Sequence, residues 1–215
     1  MFVKEFMTPD PIAITPDTAV PTALRLMREK KVRHLPIVDN HGKLLGIVSD
    51  KDLLHASPSQ ATSLAIWEIT DLMSRLKVEK VMTRDVVSVK EDTPVEEAAL
   101  ILADRPFSSL LVLRDKKLVG IITQSDLFHV LLDLLGGRRP GMRVTAVTNN
   151  IKGVLAKITS AIFEAGGNLS GLGVREIDDD KRLEIMFKVQ DLTKEKLTAV
   201  VEQEAELVDA REASF

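Results

Sequence analysis

The chain has 215 residues, 45% apolar and 28% charged, with 29 basic against 32 acidic side chains and a net charge of −3. These proportions exclude a disordered, collagen-like or rod-like chain, and the slightly acidic balance gives no bulk attraction to nucleic acid. There is no cysteine, which excludes disulfides, thiolate zinc sites, iron–sulfur clusters and cysteine nucleophiles. No run of about 18 apolar residues is present, so no helix is expected to span a membrane. The charged start Met1-Phe2-Val3-Lys4-Glu5 does not read as a signal peptide, and a soluble, cytoplasmic protein is expected.

The chain repeats itself. At an offset of 75, Met7-Thr8-x-Asp10 matches Met82-Thr83-x-Asp85, Asp17-Thr18-x-Val20 matches Asp92-Thr93-x-Val95, Ala23 matches Ala98 and Leu35 matches Leu110. One residue is lost in the turn near His41. At an offset of 74, Leu44-Leu45-Gly46-Ile47-Val48-Ser49 then matches Leu118-Val119-Gly120-Ile121-Ile122-Thr123, and Asp52-Leu53-Leu54-His55 matches Asp126-Leu127-Phe128-His129.

Each copy predicts the same elements in chain order. A short extended segment (12–14; 86–89) leads to a helix, whose start in the second copy reads as a Thr93 cap with Pro94 in the first turn and Glu96 closing a capping box. Val95, Ala98, Ala99 and Leu102 give that helix an apolar face. Two β-rich runs follow, 35–38 and 44–48 in the first copy, joined as a hairpin by Asp39-Asn40-His41-Gly42. Ser49 or Thr123 then caps a last helix. The order is β–α–β–β–α, and neither copy is long enough to bury much core alone. Between the copies, Ser57-Pro58-Ser59 is a break, and Leu64, Trp67, Met73 and Leu76 predict an amphipathic connecting helix packed over the repeat interface. Gly136-Gly137-Arg138-Arg139-Pro140-Gly141 reads as a second linker.

Gly46-Ile47-Val48-Ser49-Asp50-Lys51-Asp52 and Gly120-Ile121-Ile122-Thr123-Gln124-Ser125-Asp126 carry the chemistry. Glycine admits a ligand close to the backbone. The hydroxyl and the carboxylate, three residues apart, share a helix face and can hold a ribose diol, while the free amides of the helix start can face a phosphate. Plain N-capping alone also explains the serine and threonine, though it does not call for the same spacing twice.

Both copies resemble CBS motifs, which occur in pairs and bind adenine nucleotides between the copies. The resemblance implies that the hydroxyl and aspartate of one copy hold the ribose and that the early strand of the other lines the base pocket. Cleft one would use Ser49 and Asp52 with Ile47, and Met82, Thr83 and Val87 opposite. Cleft two would use Thr123 and Asp126 with Ile121, and Met7, Thr8 and Ile12 opposite. It also implies phosphate contacts at Arg33 and His34, where the second copy has Ser108-Ser109. Lys30 and Lys31 are read instead as solvated ends of a helix. Cleft one is therefore expected to suit a charged nucleotide, with cleft two holding adenosine, sharing Arg33 or standing empty, and Ser109 lining it.

The third region predicts a strand at 144–147, a loop at Asn149-Asn150 with an asparagine cap, a helix carrying Val154, Leu155, Ile158, Ile162 and Phe163, and a stop at Gly166-Gly167. Strands at 169–177 and 182–190, a helix near 193–203 and a strand near 206–211 complete a β–α–β–β–α–β unit. The glycine-rich stretch 166–173 follows a helix and opens a strand, the reverse of a dinucleotide loop, and reads as helix termination plus a flexible strand. The unit resembles an ACT domain, with its ligand loop at Asn150, Gly153, Val154 and Asn168. The family's acidic residue is replaced by Asn150, so simple dimerisation is an alternative to amino-acid binding.

The expected fold is therefore α+β (mixed α/β), a tandem CBS pair followed by a ferredoxin-like ACT domain, with boundaries at 1–56, 57–77, 78–135, 136–142 and 143–215. No catalytic constellation is present: His34, His41, His55 and His129 lack metal-ligand spacing, and there is neither a Gly-x-Ser-x-Gly elbow nor a Walker lysine. The domain order resembles the acetoin-utilisation AcuB-type proteins, which implies regulation of carbon or energy metabolism. The expected function is non-enzymatic sensing of AMP, ADP, ATP or another adenosyl ligand (adenosine, NAD, S-adenosylmethionine), with no required cofactor or metal, a homodimer, and an unidentified protein target. A structural dimerisation adaptor and a nucleotide-hydrolysing enzyme are the alternatives.

Overall fold

A computed structural model describes residues 1–56, 74–179 and 181–213. They form two compact units, Met1–Leu127 and Phe128–Phe215. The connecting segment read from Ser57-Pro58-Ser59, Leu64, Trp67 and Met73 lies outside the described residues. Leu76, at its end, packs on the first repeat.

The first unit carries both repeats. The first has a 3₁₀ turn at Val3–Glu5, β1 (Thr8–Pro9), α1 (Val20–Lys30), β2 (His34–Val38), β3 (Leu44–Ser49) and α2 (Asp50–His55). The second has a 3₁₀ turn at Val78–Lys80, β4 (Ser88–Lys90), α3 (Val95–Ala103), β5 (Ser109–Arg114), β6 (Lys117–Thr123) and the start of α4 (Gln124–Leu134). Of the extended segment expected at 12–14, only Ile14 pairs, in a parallel bridge to Ile37.

The repeats exchange their leading segments. Val3 is buried among Val89, Ala98, Leu102, Leu110, Val112 and Ile122 of the second repeat. Val78 is buried with Ile14, Val20, Ala23, Leu35, Ile37 and Val48 of the first. The backbone does the same: Val3 N–H donates to Thr93 O at 2.9 Å, and Val78 N–H to Thr18 O at 2.9 Å. β1 pairs with β6 in a sheet ordered β1-β6-β5-β4, while Thr83 bridges to Ile47 beside the β2–β3 hairpin. Each small core thus closes only with residues from the other copy, which is how two pieces of this size reach a workable burial.

One of the two helix starts with an expected cap differs from expectation. Thr93 does not cap α3: the N-cap is Pro94 with no side-chain bond, and Thr93 Oγ1 accepts the Lys90 N–H at 3.1 Å, closing the preceding turn. Thr93 stands one residue before the cap. Ser49 does cap α2, in a reciprocal capping box with Asp52.

The second unit continues from α4 into β7 (Gly141–Asn149), α5 (Val154–Glu164), β8 (Asn168–Ile177), β9 (Arg182–Gln190), α6 (Lys194–Val201) and β10 (Glu206–Ala213). Its antiparallel sheet has the order β10-β7-β9-β8, a ferredoxin-like arrangement. Val144, Ile185, Phe187 and Val189 from the sheet pack against Ile158, Ile162, Leu197 and Val201 from the helices. Asn150 is not the cap of α5. That position is Gly153, at φ +85° with no side-chain bond, and the Asn150 amide instead donates to Glu176 Oε1 at 3.5 Å.

The two glycine-rich stretches have a different role from the linker and flexible strand expected of them. A Cβ on Gly171 would meet the Leu135 carbonyl and the Gly136 nitrogen, and a Cβ on Gly136 (φ +63°) would meet Ser170 O at 2.7 Å. Backbone lies directly on backbone here, so residues 135–136 are seated on β8 rather than spanning open solvent. Ser170 is buried beneath them, its Oγ donating to Lys188 O at 3.3 Å.

Candidate functional site

Each strand-to-helix junction of the first unit is built the same way. Asp52 Oδ2 accepts the Ser49 N–H at 2.8 Å and the Ser49 hydroxyl at 2.7 Å, and Ser49 Oγ accepts the Asp52 N–H at 3.3 Å. Asp126 Oδ2 accepts the Thr123 N–H and hydroxyl at 2.8 Å each, and Thr123 Oγ1 accepts the Asp126 N–H at 3.3 Å. Capping and ligand binding are therefore not competing explanations. Every one of these bonds to the carboxylate falls on Oδ2, so Oδ1 of each aspartate takes no bond among the described residues. The cap fixes the carboxylate, and the free oxygen can accept from hydroxyls of a ligand.

The motif glycines serve packing rather than ligand approach. A Cβ on Gly46 would meet Thr83 O at 2.7 Å and Met82 Sδ at 3.0 Å, and one on Gly120 would meet the Met7 side chain. These are the exchanged segments. Ile47 and Thr83 bond reciprocally through their backbones, at 3.0 and 2.9 Å, and Thr8 lies opposite Ile121. Thus Met82 and Thr83 lie beside the strand that ends in Ser49, and Met7 and Thr8 beside the strand that ends in Thr123. Ile47 is half-buried, Ile121 is buried and Ile12 is exposed.

Val87, expected opposite Ser49 and Asp52, is partly buried. It packs on the core of the second repeat. Its neighbours Val86 and Ser88 instead line a cavity of about 280 Å³ with Leu45 and Leu113. Alternation along an extended segment puts adjacent residues on opposite faces, and the sequence alone left the choice of face open.

Arg33 and His34 part ways. Arg33 is exposed, and its carbonyl accepts the Asp50 N–H at 3.0 Å, as Ser108 O accepts the Gln124 N–H at 3.0 Å. His34 is half-buried, with Nε2 3.1 Å from the Ser108 hydroxyl of the other repeat. Burial, with Arg33 adding to it, holds the His34 imidazole below its ordinary value of 6.5 against the opposing pull of Asp50 and Asp52. A neutral His34 can donate a hydrogen bond to a phosphate but brings no charge, so of the two only Arg33 brings one. Ser109 is buried at the start of β5.

The lowered His34 value has a consequence for stability. Between that value and 6.5 the unfolded chain binds the proton more readily than the folded one, so this contribution is complete above pH 6.5 and is lost as pH falls through the window. The urea midpoint of the wild type is expected to fall across it, and that of His34→Gln to fall less. Equal slopes would reject the assignment.

In the second unit, Gly153 caps α5 and Asn168 opens β8 opposite Gln190. Val154 offers a ligand little: its side chain is in the core and its N–H donates to Ile151 O at 3.3 Å. Among the described residues no cluster of three or more His, Asp or Glu is placed to hold a metal ion, and no helix is long and apolar enough to cross a membrane.

A family model described as "CBS domain" matches residues 3–59 and 78–133. Three solved structures are similar over about three fifths of the chain. A putative acetoin utilization protein (AcuB) from Vibrio cholerae is 34% identical with a TM-score of 0.52, covering 62% of this chain and 92% of that one. The CBS domain pair of protein MJ0100, in complex with 5′-methylthioadenosine and S-adenosyl-L-methionine, is 28% identical with a TM-score of 0.52, covering 65% and 98%. CBSX2 in complex with AMP is 36% identical with a TM-score of 0.51, covering 61% and 96%. Some curated relatives are named as enzymes, and this chain spans about a quarter of their length.

Proposed function

Because the chain belongs to the CBS-domain family, we propose that it is a non-enzymatic regulatory protein that binds an adenosine-containing ligand between its repeats. The observation that carries this reading is the doubled junction, with the same capping geometry and the same open carboxylate oxygen at Asp52 and Asp126. Each Oδ1 accepts from a ribose hydroxyl, and Ser49 and Thr123 hold the carboxylate for it. Met82, Thr83 and Ile47 flank the first cleft, and Met7, Thr8, Ile121 and Ile12 the second. Arg33 supplies the charge toward a phosphate. The complexes of its relatives with AMP and with S-adenosylmethionine support the ligand class, and likeness to the AcuB protein supports a role in carbon or energy metabolism. The ferredoxin-like unit acts as an ACT-like module that pairs copies or reads a second signal. A ligand regulates only by binding one arrangement better than another.

Thermal-shift and calorimetric titration with AMP, ADP, ATP, adenosine, NAD and S-adenosylmethionine tests the reading. A ligand at 100 times its dissociation constant stabilises by about 2.7 kcal/mol. If none of the six shifts the transition, the reading fails. A dimerisation adaptor then leads, favoured by Leu54 and Phe128, repeat-equivalent helix residues that are 55% and 65% exposed.

A further inference from the structure

The cavity between the repeats has a charged rim that nucleotide binding at Ser49 and Asp52 does not use. Lys43, Arg84 and Lys116 stand around an apolar floor of Leu44, Leu45, Val86 and Leu113, and no carboxylate lines it. None of the three cations forms an ion pair among the described residues. The acid that acts on Lys43 is Asp39, whose Oδ1 already accepts the backbone N–H groups of His41 and Lys43 at 2.8 Å each.

Two features make this gathering of charge costly. The first is cross-strand: Lys43 sits directly opposite Lys117 in an antiparallel bridge, and like charges so placed destabilise the pair. The second is in the backbone. Lys116 adopts φ +65°, and the repeat-equivalent Gly42 adopts φ +77°. The hairpin turn calls for the left-handed region in both copies. Glycine takes it freely, and a lysine does not.

The internal repeat also supplies a control. By the same offsets, Arg84 corresponds to Pro9, Val86 to Pro11, Ser88 to Ala13 and Lys116 to Gly42, so only Lys117 repeats the cation of Lys43. The fold does not need these charges, because the other copy is built without them. They concentrate on one side, where an anion would relieve both the repulsion and the unmatched field.

We propose that this cavity binds a small organic anion, a carboxylate or phosphate ester with an apolar body, through Lys43, Arg84 and Lys116. The apolar floor excludes a bare inorganic ion as the best occupant. A volume of about 280 Å³ is at the small end of ligand pockets, about 300 Å³ and upward. The Arg84 side chain is tethered beside the cavity, one guanidinium N–H donating to Glu79 O at 3.2 Å. The site is distinct from the ribose site: Leu45, the lining residue nearest Ser49 along β3, is four residues from it, about 13 Å at 3.3 Å per residue.

The test is calorimetric titration of the full chain with phenyl phosphate, benzoate, phenol and inorganic phosphate. Phenyl phosphate or benzoate is expected to bind, more weakly at higher salt, with the preferred one identifying the headgroup. Phenol and inorganic phosphate are expected to bind far less. Lys43→Gln and Lys116→Gly are each expected to weaken the preferred probe about tenfold or more, the scale of one lost charge-assisted hydrogen bond. Lys116→Gly relieves the positive φ and is expected to melt no lower than the wild type, which separates lost binding from lost folding. The proposal is overturned if phenol binds as tightly as benzoate, if Lys116→Gly binds the probe like the wild type, or if neither anion binds at millimolar concentration. Competitive displacement of the probe by AMP would also overturn it, by making the two sites one.

Discussion

Asp52→Ala is expected to weaken binding of an adenosine ligand in the first cleft by about tenfold to a hundredfold, and Asp126→Ala to do the same in the second. A hydrogen bond to a charged group contributes about 1.5–3 kcal/mol, and about 1.4 kcal/mol is a factor of ten. Each substitution also removes one side of a capping box, at about 1 kcal/mol of helix stability. The two effects separate because the lost cap lowers the melting temperature without ligand, whereas the lost acceptor lowers the ligand-induced shift. Asp52→Asn refines the comparison. It retains an oxygen for the Ser49 N–H and should preserve more of the cap than of the binding. Calorimetry that resolves two sites assigns each aspartate to its own cleft. If the wild type binds and both alanine variants bind equally well, the ribose role of these carboxylates is wrong.

Gly171→Ala is expected to destabilise the second unit by about 1–3 kcal/mol, the range for forcing an atom into a packed site. The added carbon meets the Leu135 carbonyl and the Gly136 nitrogen, and backbone atoms cannot rotate aside as a side chain can. Gly173→Ala is the control. Its Cβ meets Leu135 Cδ2 at 3.0 Å, the end of a flexible side chain, so a smaller loss is expected. Urea unfolding with hydrogen exchange on β8 and β9 reads both. Equal and negligible losses would mean that the seat of residues 135–136 on β8 contributes nothing to stability.

The sequence alone was informative where the signal is local. The matched halves, the hairpin at Asp39–Gly42 and the Ser49 and Thr123 caps are all written in short-range pattern, because each depends on turn chemistry or on hydroxyl and carboxylate three residues apart. The β–α–β–β–α–β order of the last region was legible for the same reason, in its strand and helix periods and in the helix stop at Gly166 (φ +91°). Helix starts were less secure. Thr93 and Asn150 are good capping residues, yet Thr93 Oγ1 accepts the Lys90 N–H of the preceding turn and the Asn150 amide donates to Glu176 on β8, because capping competes with any other nearby donor or acceptor.

Tertiary structure decided what the local pattern could not contain. That Val3 completes the second core and Val78 the first depends on which segments meet, and sequence periodicity carries no information about partners. The same holds for Gly46 and Gly120, whose missing side chains make room for Met82 and Met7, and for Gly171 and Gly136, which mean little apart and form one contact together. It holds for Val86, which takes the cavity face while Val87 takes the core. The sequence by itself thus determined the elements, the duplication and the doubled hydroxyl–carboxylate junction, through bonds spanning a few residues. Which surfaces those elements present to each other, and hence which cations ring the cavity, was decided by long-range packing, where shape and burial outweigh local preference.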